Sequence, residues 1–213
     1  MSSKVAARTK PDWSAPAILV KAAQKPDIVE LPERMALAID GSGPPSSDAF
    51  TRSLAALYGI AYGIKFARKD SGKGTPFKVA ALEGQWSAAG WTDPKAMPPP
   101  ERWTWRLRIA VPPDVSPEEV KRIAATVVAK KGGKLEGSHE ARQVFLETIP
   151  AVRCGRILHV GPYADEPRSF AAMQELLDRE SLRACHGHIE IYLSDPRRSV
   201  PEKLKTVLLK AIG

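Results

Sequence analysis

Hydrophobic and polar positions alternate along DIVELPERMALAIDG (27–41), with Met35, Leu37 and Ile39 on one side. That period of two predicts extended chain, and Pro32 marks a bend or an edge position. GSGPPSSD (41–48) is a strong breaker. Ser46 or Ser47 then caps a helix from about Asp48, whose apolar face is Phe50, Leu54, Leu57, Tyr58, Ala61 and Ile64. RKDSGKGTP (68–76) ends that helix. FKVAALEGQW (77–86) is the next strand, with Val79, Ala81 and Glu83 on one face and Ala80 and Leu82 on the other. A Pro-rich connection, 87–102, leads to WTWRLRIAV (103–111). In this strand Trp103, Trp105, Leu107 and Ile109 face away from Thr104, Arg106 and Arg108. SPEEVKRIAATVVAKKGG (116–133) is the cleanest helix. Ser116 and Glu119 form a capping box, Pro117 suits the first turn, and Gly132–Gly133 stops it.

The second half has the same outline. RQVFLETIPAVRCGRILHVGPY (142–163) is extended chain with an internal proline and a Gly-Pro breaker at its end. A helix near Pro167 follows, with Phe170, Met173, Leu176 and Leu177 on one face, and then the strand HIEIYLSD (188–195). PEKLKTVLLKAIG (201–213) suits helix or strand by propensity; the repeat favours a strand matching Trp103–Val111. The predicted fold is therefore α+β: duplicated strand–helix–strand–strand units forming a pseudo-twofold antiparallel sheet, with helices outside and a central ligand cleft. The first repeat spans 27–111, the linking helix 116–133 and the second repeat 142–213. AIDGSGPP (38–45) aligns with LHVGPYAD (158–165), and ALEGQW (81–86) with HIEIYL (188–193). On that alignment Glu83 and Glu190 are equivalent, and the non-helical faces curve into a cleft where the two carboxylates meet. They would repel unless one is protonated or a cation lies between them.

The net charge of +8 on 213 residues changes this picture little. Residues 1–25 hold Lys4, Arg8, Lys10, Lys21 and Lys25 against Asp12 alone, so much of the excess lies on a basic, Pro/Ala-containing extension (1–26). A flexible start is expected there, with Trp13 as an anchor to the body. No nucleic-acid-binding motif is evident, so no direct nucleic-acid partner is expected. No apolar run approaches a membrane span and the N-terminus lacks a signal-peptide h-region, which points to a cytoplasmic protein with no membrane partner. Cys154 and Cys185 lack metal-ligand spacing, so neither a disulfide framework nor a metal is expected.

Along HIEIY, His188, Glu190 and Tyr192 share one face, with a carboxylate between an imidazole and a phenol. That face is either wet or lines a pocket. Trp86, Trp91, Trp103 and Trp105 are either core or ligand wall, Trp91 being read as a lid residue. Glu83 is either a second acid or a strand carboxylate paired with Lys78 or Arg106. His159, alone on its strand, is read as structural.

ILHVGPYADEPRSFAAMQELL (157–177) followed by HIEIYLSDP (188–196), with LEGQW (82–86) and WTWRLRIAVP (103–112), resembles the GyrI-like small-molecule-binding family over about 27–213. The resemblance is to its stand-alone branch, which lacks the DNA-binding domain of the related activators. It implies a cleft for planar aromatic or cationic molecules, with the glutamate at Glu190 as the buried acid. Some stand-alone members hydrolyse the cyclopropane ring of DNA-alkylating natural products, which would serve self-protection or detoxification. The resemblance implies that Glu190 points into the cleft and that aromatics line its walls; with the residue pattern, catalytic roles are expected for Glu190 and Tyr163, and ligand contacts from Glu83, Trp86, Trp91, Trp103, Trp105 and Tyr192, with no cofactor. Two rival readings use the same fold: a non-catalytic drug-sequestering or sensor module, and a protein-partner inhibitor with an exposed apolar patch outside the cleft.

Overall fold

Pro32 and Pro150 each divide one predicted extended run into two strands. The computed structural model describes residues 13–91, 98–129 and 136–213. In it β1 (Asp27–Leu31) and β2 (Arg34–Ser42) flank Pro32, while β5 (Phe145–Ile149) and β6 (Val152–Val160) flank Pro150. The remaining strands are β3 (Leu82–Ala88), β4 (Trp103–Val111), β7 (His188–Tyr192) and β8 (Lys205–Ala211). The C-terminal segment is thus a strand, as the repeat predicts, and β3 begins five residues later than the alternation suggests.

All eight strands form one antiparallel sheet in the order β1-β6-β8-β7-β3-β4-β2-β5. Exchanging each strand of one half for its counterpart in the other reverses this order, so the sheet has a pseudo-twofold axis between β3 and β7. The opening strands are swapped. β1 pairs with β6 of the second half, and β5 pairs with β2 of the first.

Among the described residues three α-helices complete the fold: α1 (Asp48–Ser71), α2 (Pro117–Ala129) and α3 (Glu166–Arg179). Ser47 caps α1, its Oγ accepting from the Phe50 N–H at 3.2 Å, and Gly72 closes it at φ 66°, a conformation that suits glycine. Leu57, Ile60 and Ile64 of α1 pack against Leu37, Ile39, Leu107 and Ile109 of β2 and β4. The predicted box caps α2, with the Glu119 N–H donating to Ser116 Oγ; its predicted stop, Gly132–Gly133, lies outside the described residues. Met173 of α3 packs on Ile157 and Leu208.

The opposite face of the sheet is partly covered by the N-terminal segment. Leu19 is buried with Leu31, Cys154, Ile191, Val207 and Leu209. Arg156 ties the segment down by donating to the carbonyls of Ile18 and Lys21, at 2.7 and 2.8 Å. Trp13 anchors it through a bridge to Phe77; residues 1–12 of the predicted extension lie outside the described ones. Among the described residues, no helix is long and apolar enough to cross a membrane.

Candidate functional site

The β3–β7 register places the candidate residues on two different faces. Leu82 pairs with Tyr192, Gly84 with Glu190 and Trp86 with His188, so these six side-chain positions share one face. Glu190 also lies opposite Leu208, which packs under α3. The acid therefore points to the helix-bearing face, not to the helix-free face on which the sequence places the cleft.

Glu83 corrects the second expectation. It pairs with Ile191 and Arg108 on the opposite face from Glu190. There the Arg34 guanidinium donates to it at 2.6 Å, and both residues are buried. Its partner is thus neither Lys78 nor Arg106. Arg106 binds Asp40 and Glu147 on the same face, and Arg108 also binds Glu147. Glu83 belongs to this ion-pair layer and not to the acid's surroundings.

The true counterpart of Glu190 follows from the repeats. The 3-10 turns Pro100–Arg102 and Pro201–Lys203 lead into β4 and β8, which matches Leu107 with Leu208. Leu107 faces Gly84 and Leu208 faces Glu190. Gly84 and Glu190 are therefore counterparts that also pair with each other, and the pseudo-twofold axis runs between them.

Around Glu190 the polar groups form a connected chain. His188 Nε2 lies 2.7 Å from Glu190 Oε1, and both residues are buried. The Trp86 Nε1–H donates to the Tyr192 hydroxyl at 3.0 Å. Burial pushes the Tyr192 phenol well above its ordinary pKa; the charge of Glu190 and a hydrogen bond to it add to the rise. Phe170 of α3 meets the His188 ring at 4.9 Å and Trp91 meets it edge-on at 5.9 Å. Tyr163, in a 3-10 turn just before α3, leans edge-on against Tyr192 at 6.1 Å and is 39% exposed. Burial, followed by the charges of Glu190 and Glu166, pushes its phenol up to about 12.

Glu166 is the residue that the sequence reading misses. It opens α3, is 7% exposed, and its Oε1 has no hydrogen-bond partner among the described residues. Burial and the charge of Glu190 push its carboxyl up to about 9. In sequence it looks like an ordinary acid in the first turn of a helix, where the macrodipole favours it. His188 was more legible, since the alternation already sets it beside Glu190.

The tryptophans divide by depth. Trp105 is buried in the α1 core, edge-on to Phe50 at 5.2 Å. Trp86 is also buried, but it is stacked on Phe50 at 5.8 Å and bonded to Tyr192, so it joins the core to the acid's surroundings. Trp103 meets Trp86 edge-on at 5.7 Å, and Trp91 borders His188. His159 is structural as expected: it is 1% exposed and hydrogen-bonded to Ser169 Oγ and to the Pro162 carbonyl. Depressions of about 310 and 430 Å³ border α3; Trp91 lines the first, and Glu190 lines neither.

Fold and site together define a class: a duplicated α+β half-barrel with a buried carboxylate, hydrogen-bonded to histidine, on its internal axis. The chain belongs to the family of an uncharacterized conserved protein from Listeria innocua, with 30% identity and a TM-score of 0.82 over 92% of this chain and 96% of that one. A structure described as a hydrolase from Listeria innocua is 28% identical, with a TM-score of 0.77 and the same coverage. The C-terminal domain of EcmrR shares the fold at 11% identity and a TM-score of 0.55, over 88% of this chain and 96% of that domain. No family model and no curated protein matches the chain.

Proposed function

We propose that this chain is a GyrI-like protein that binds a planar hydrophobic small molecule beside Glu190 and hydrolyses a strained cyclopropane conjugated to a carbonyl. The observation that carries the reading is the position of Glu190: a buried carboxylate on the axis, held by His188, with Phe170 and Trp91 against the His188 ring and with Trp86 and Tyr163 against Tyr192 on the same face. An acid oriented by a histidine can take a proton from water, and aromatic faces suit a flat ligand. The name hydrolase borne by a 28% identical relative supports the same reading.

In this reaction the oxygen of water bonds to the cyclopropane methylene. The ring C–C bond breaks and its electron pair moves through the conjugated system to the carbonyl oxygen. Glu190 takes the proton from water. A nearby donor, Tyr163 or Tyr192, stabilises the charge that develops on oxygen. Strain supplies the driving force, so the protein's task is positioning.

The test incubates the protein with a cyclopropanoid alkylator and follows the ring-opened product by mass spectrometry. Glu190→Gln should lower turnover about 10²–10⁴-fold while binding is retained. Stoichiometric binding by the wild type without product would replace hydrolysis by sequestration, with Glu190 as counter-ion to a cationic ligand.

A further inference from the structure

We propose that the cavity at the end of α3 is an anion-binding subsite, in which Lys210 and Arg183 hold an acidic group carried by the ligand whose rings lie beside Trp91. That the rest of this ligand reaches Glu190 rests on the reading above; the charge preference of the cavity does not.

The cavity, of about 310 Å³, is lined by α3, by the segment 182–187 and by the end of β8. That is the low end of ligand-pocket sizes. Sheet register brings Lys210 to it. Lys210 pairs with Gly155, and a Cβ on Gly155 would lie 3.1 Å from Met173 of α3, so both positions are on the helix-bearing face. Glu190 is on the same face, opposite Leu208, and Lys210 is the next residue of β8 on that face. The diagonal from Glu190 to Lys210 is therefore about 7–8 Å between Cα atoms. Trp91 bridges the two places, since it lines the cavity and also meets the His188 ring at 5.9 Å. Cys185 stands in the wall, because its N–H donates to the Ala211 carbonyl at 2.8 Å and so lays this segment along the end of β8.

The charges lining the cavity do not balance. Lys210 and Arg183 face one carboxylate, Asp178, whose Oδ1 accepts from Gln174 Nε2 at 2.8 Å. Neither Lys210 nor Arg183 has an acidic partner among the described residues. On the other face of the sheet Arg34, Arg106, Arg108 and Arg156 are each paired with a carboxylate. Lys210 is half-buried, and burial lowers the pKa of its ammonium, with Cys185 acting the other way. A half-buried cation without a counter-charge is a cost that an incoming anion recovers. The negative end of α3 would oppose that anion, but its last carbonyls are engaged. Those of Leu176, Leu177 and Asp178 accept from the N–H groups of Glu180, Leu182 and Ser181. The ligand that fits is a flat apolar body with an anionic oxygen group, whether carboxylate, phosphate or sulfonate.

Cys185 supplies the probe for the test. It is exposed while Cys154 is buried, so an alkylating reagent marks Cys185 in the folded protein. Iodoacetate is charged and iodoacetamide is neutral, and both attack the same sulfur. The ratio of their rates cancels the thiolate population and reads the potential in the cavity. At pH 7 the wild-type ratio should exceed that of N-acetylcysteinamide about tenfold. Lys210→Met should lower it about three- to tenfold and Arg183→Gln by less, while Asp178→Asn should raise it. A wild-type ratio no higher than that of the small thiol, or one that neither cation variant lowers, overturns the subsite. Arg183 is exposed, so that comparison stands even if Lys210→Met fails to fold. Two dyes then test the ligand class. 1-Anilinonaphthalene-8-sulfonate and N-phenyl-1-naphthylamine share one ring system and differ by the sulfonate. The sulfonate should protect Cys185 from iodoacetamide at about tenfold lower concentration, and Lys210→Met should close that gap. Equal protection by the two dyes, or protection by neither, overturns the claim that a ring-bearing acid is held here. A cavity that shows the preference in a protein without cyclopropanoid turnover sinks the hydrolase reading and upholds the subsite; turnover without the preference does the reverse.

Discussion

A single residue of register separates the inferred site from the observed one. The alternation in ALEGQW and HIEIYL is real, and it puts His188, Glu190 and Tyr192 on one face as expected. The alignment of ALEGQW to HIEIYL, however, is shifted by one position, and a shift of one moves every side chain to the other face. Glu83 thereby looks like a twin of Glu190, whereas the twin is Gly84. Glu166 was not legible at all, because a first-turn acid has a sufficient local explanation; what sets it apart is burial, a tertiary property. Gly84 itself has a demanding role. A Cβ there would lie 2.9 Å from Trp86 Nε1 and 3.1 Å from the Tyr192 hydroxyl. Gly84→Ala should therefore disturb the Trp86–Tyr192 hydrogen bond, cost about 1–3 kcal/mol in urea denaturation and weaken ligand binding. A variant as stable as the wild type, with binding intact, would show that this strand approach is not tight.

The secondary-structure elements were legible where local chemistry punctuates the chain. Gly-Pro breakers, capping serines and internal prolines mark real boundaries at Pro32, Ser47, Ser116 and Pro150. Strand partners were not legible, because alternation tells which side a residue faces and says nothing of which strand lies alongside. Hence neither the pairing of β1 with β6 nor that of β5 with β2 could be read. The cap of α1 gives a direct check of the local chemistry. Ser47→Ala removes the acceptor for the Phe50 N–H and should cost about 1 kcal/mol by thermal or urea unfolding. Ser47→Gly should cost less. Because Phe50 stacks on Trp86, fraying of this turn should also change tryptophan fluorescence. No change in either signal would mean that tertiary packing alone holds the first turn.

At the scale of the whole molecule, the swapped opening strands tie each half to the other. β5 completes the sheet beside β2 and β1 completes it beside β6, so neither half can dissolve without stripping an edge from its partner. Unfolding should be a single cooperative event. The protein carries its own reporters for this. All five tryptophans, Trp13, Trp86, Trp91, Trp103 and Trp105, precede the second repeat, and Trp105 is buried in the first half's core, so their fluorescence is weighted to the first half and to its contacts across the axis, while far-UV circular dichroism follows both halves. The two urea curves should coincide; separated midpoints would mean that the halves melt independently. The two matched positions that touch across the axis are a glycine and a glutamate, which has a consequence of its own. Elsewhere, duplicated sites lie far apart and can drift separately, but here the two copies compete for one spot. Two acids would repel there and two glycines would leave no chemistry, so one copy yields its place to the other. Even a mirror-faced guest would then have a single way round to sit.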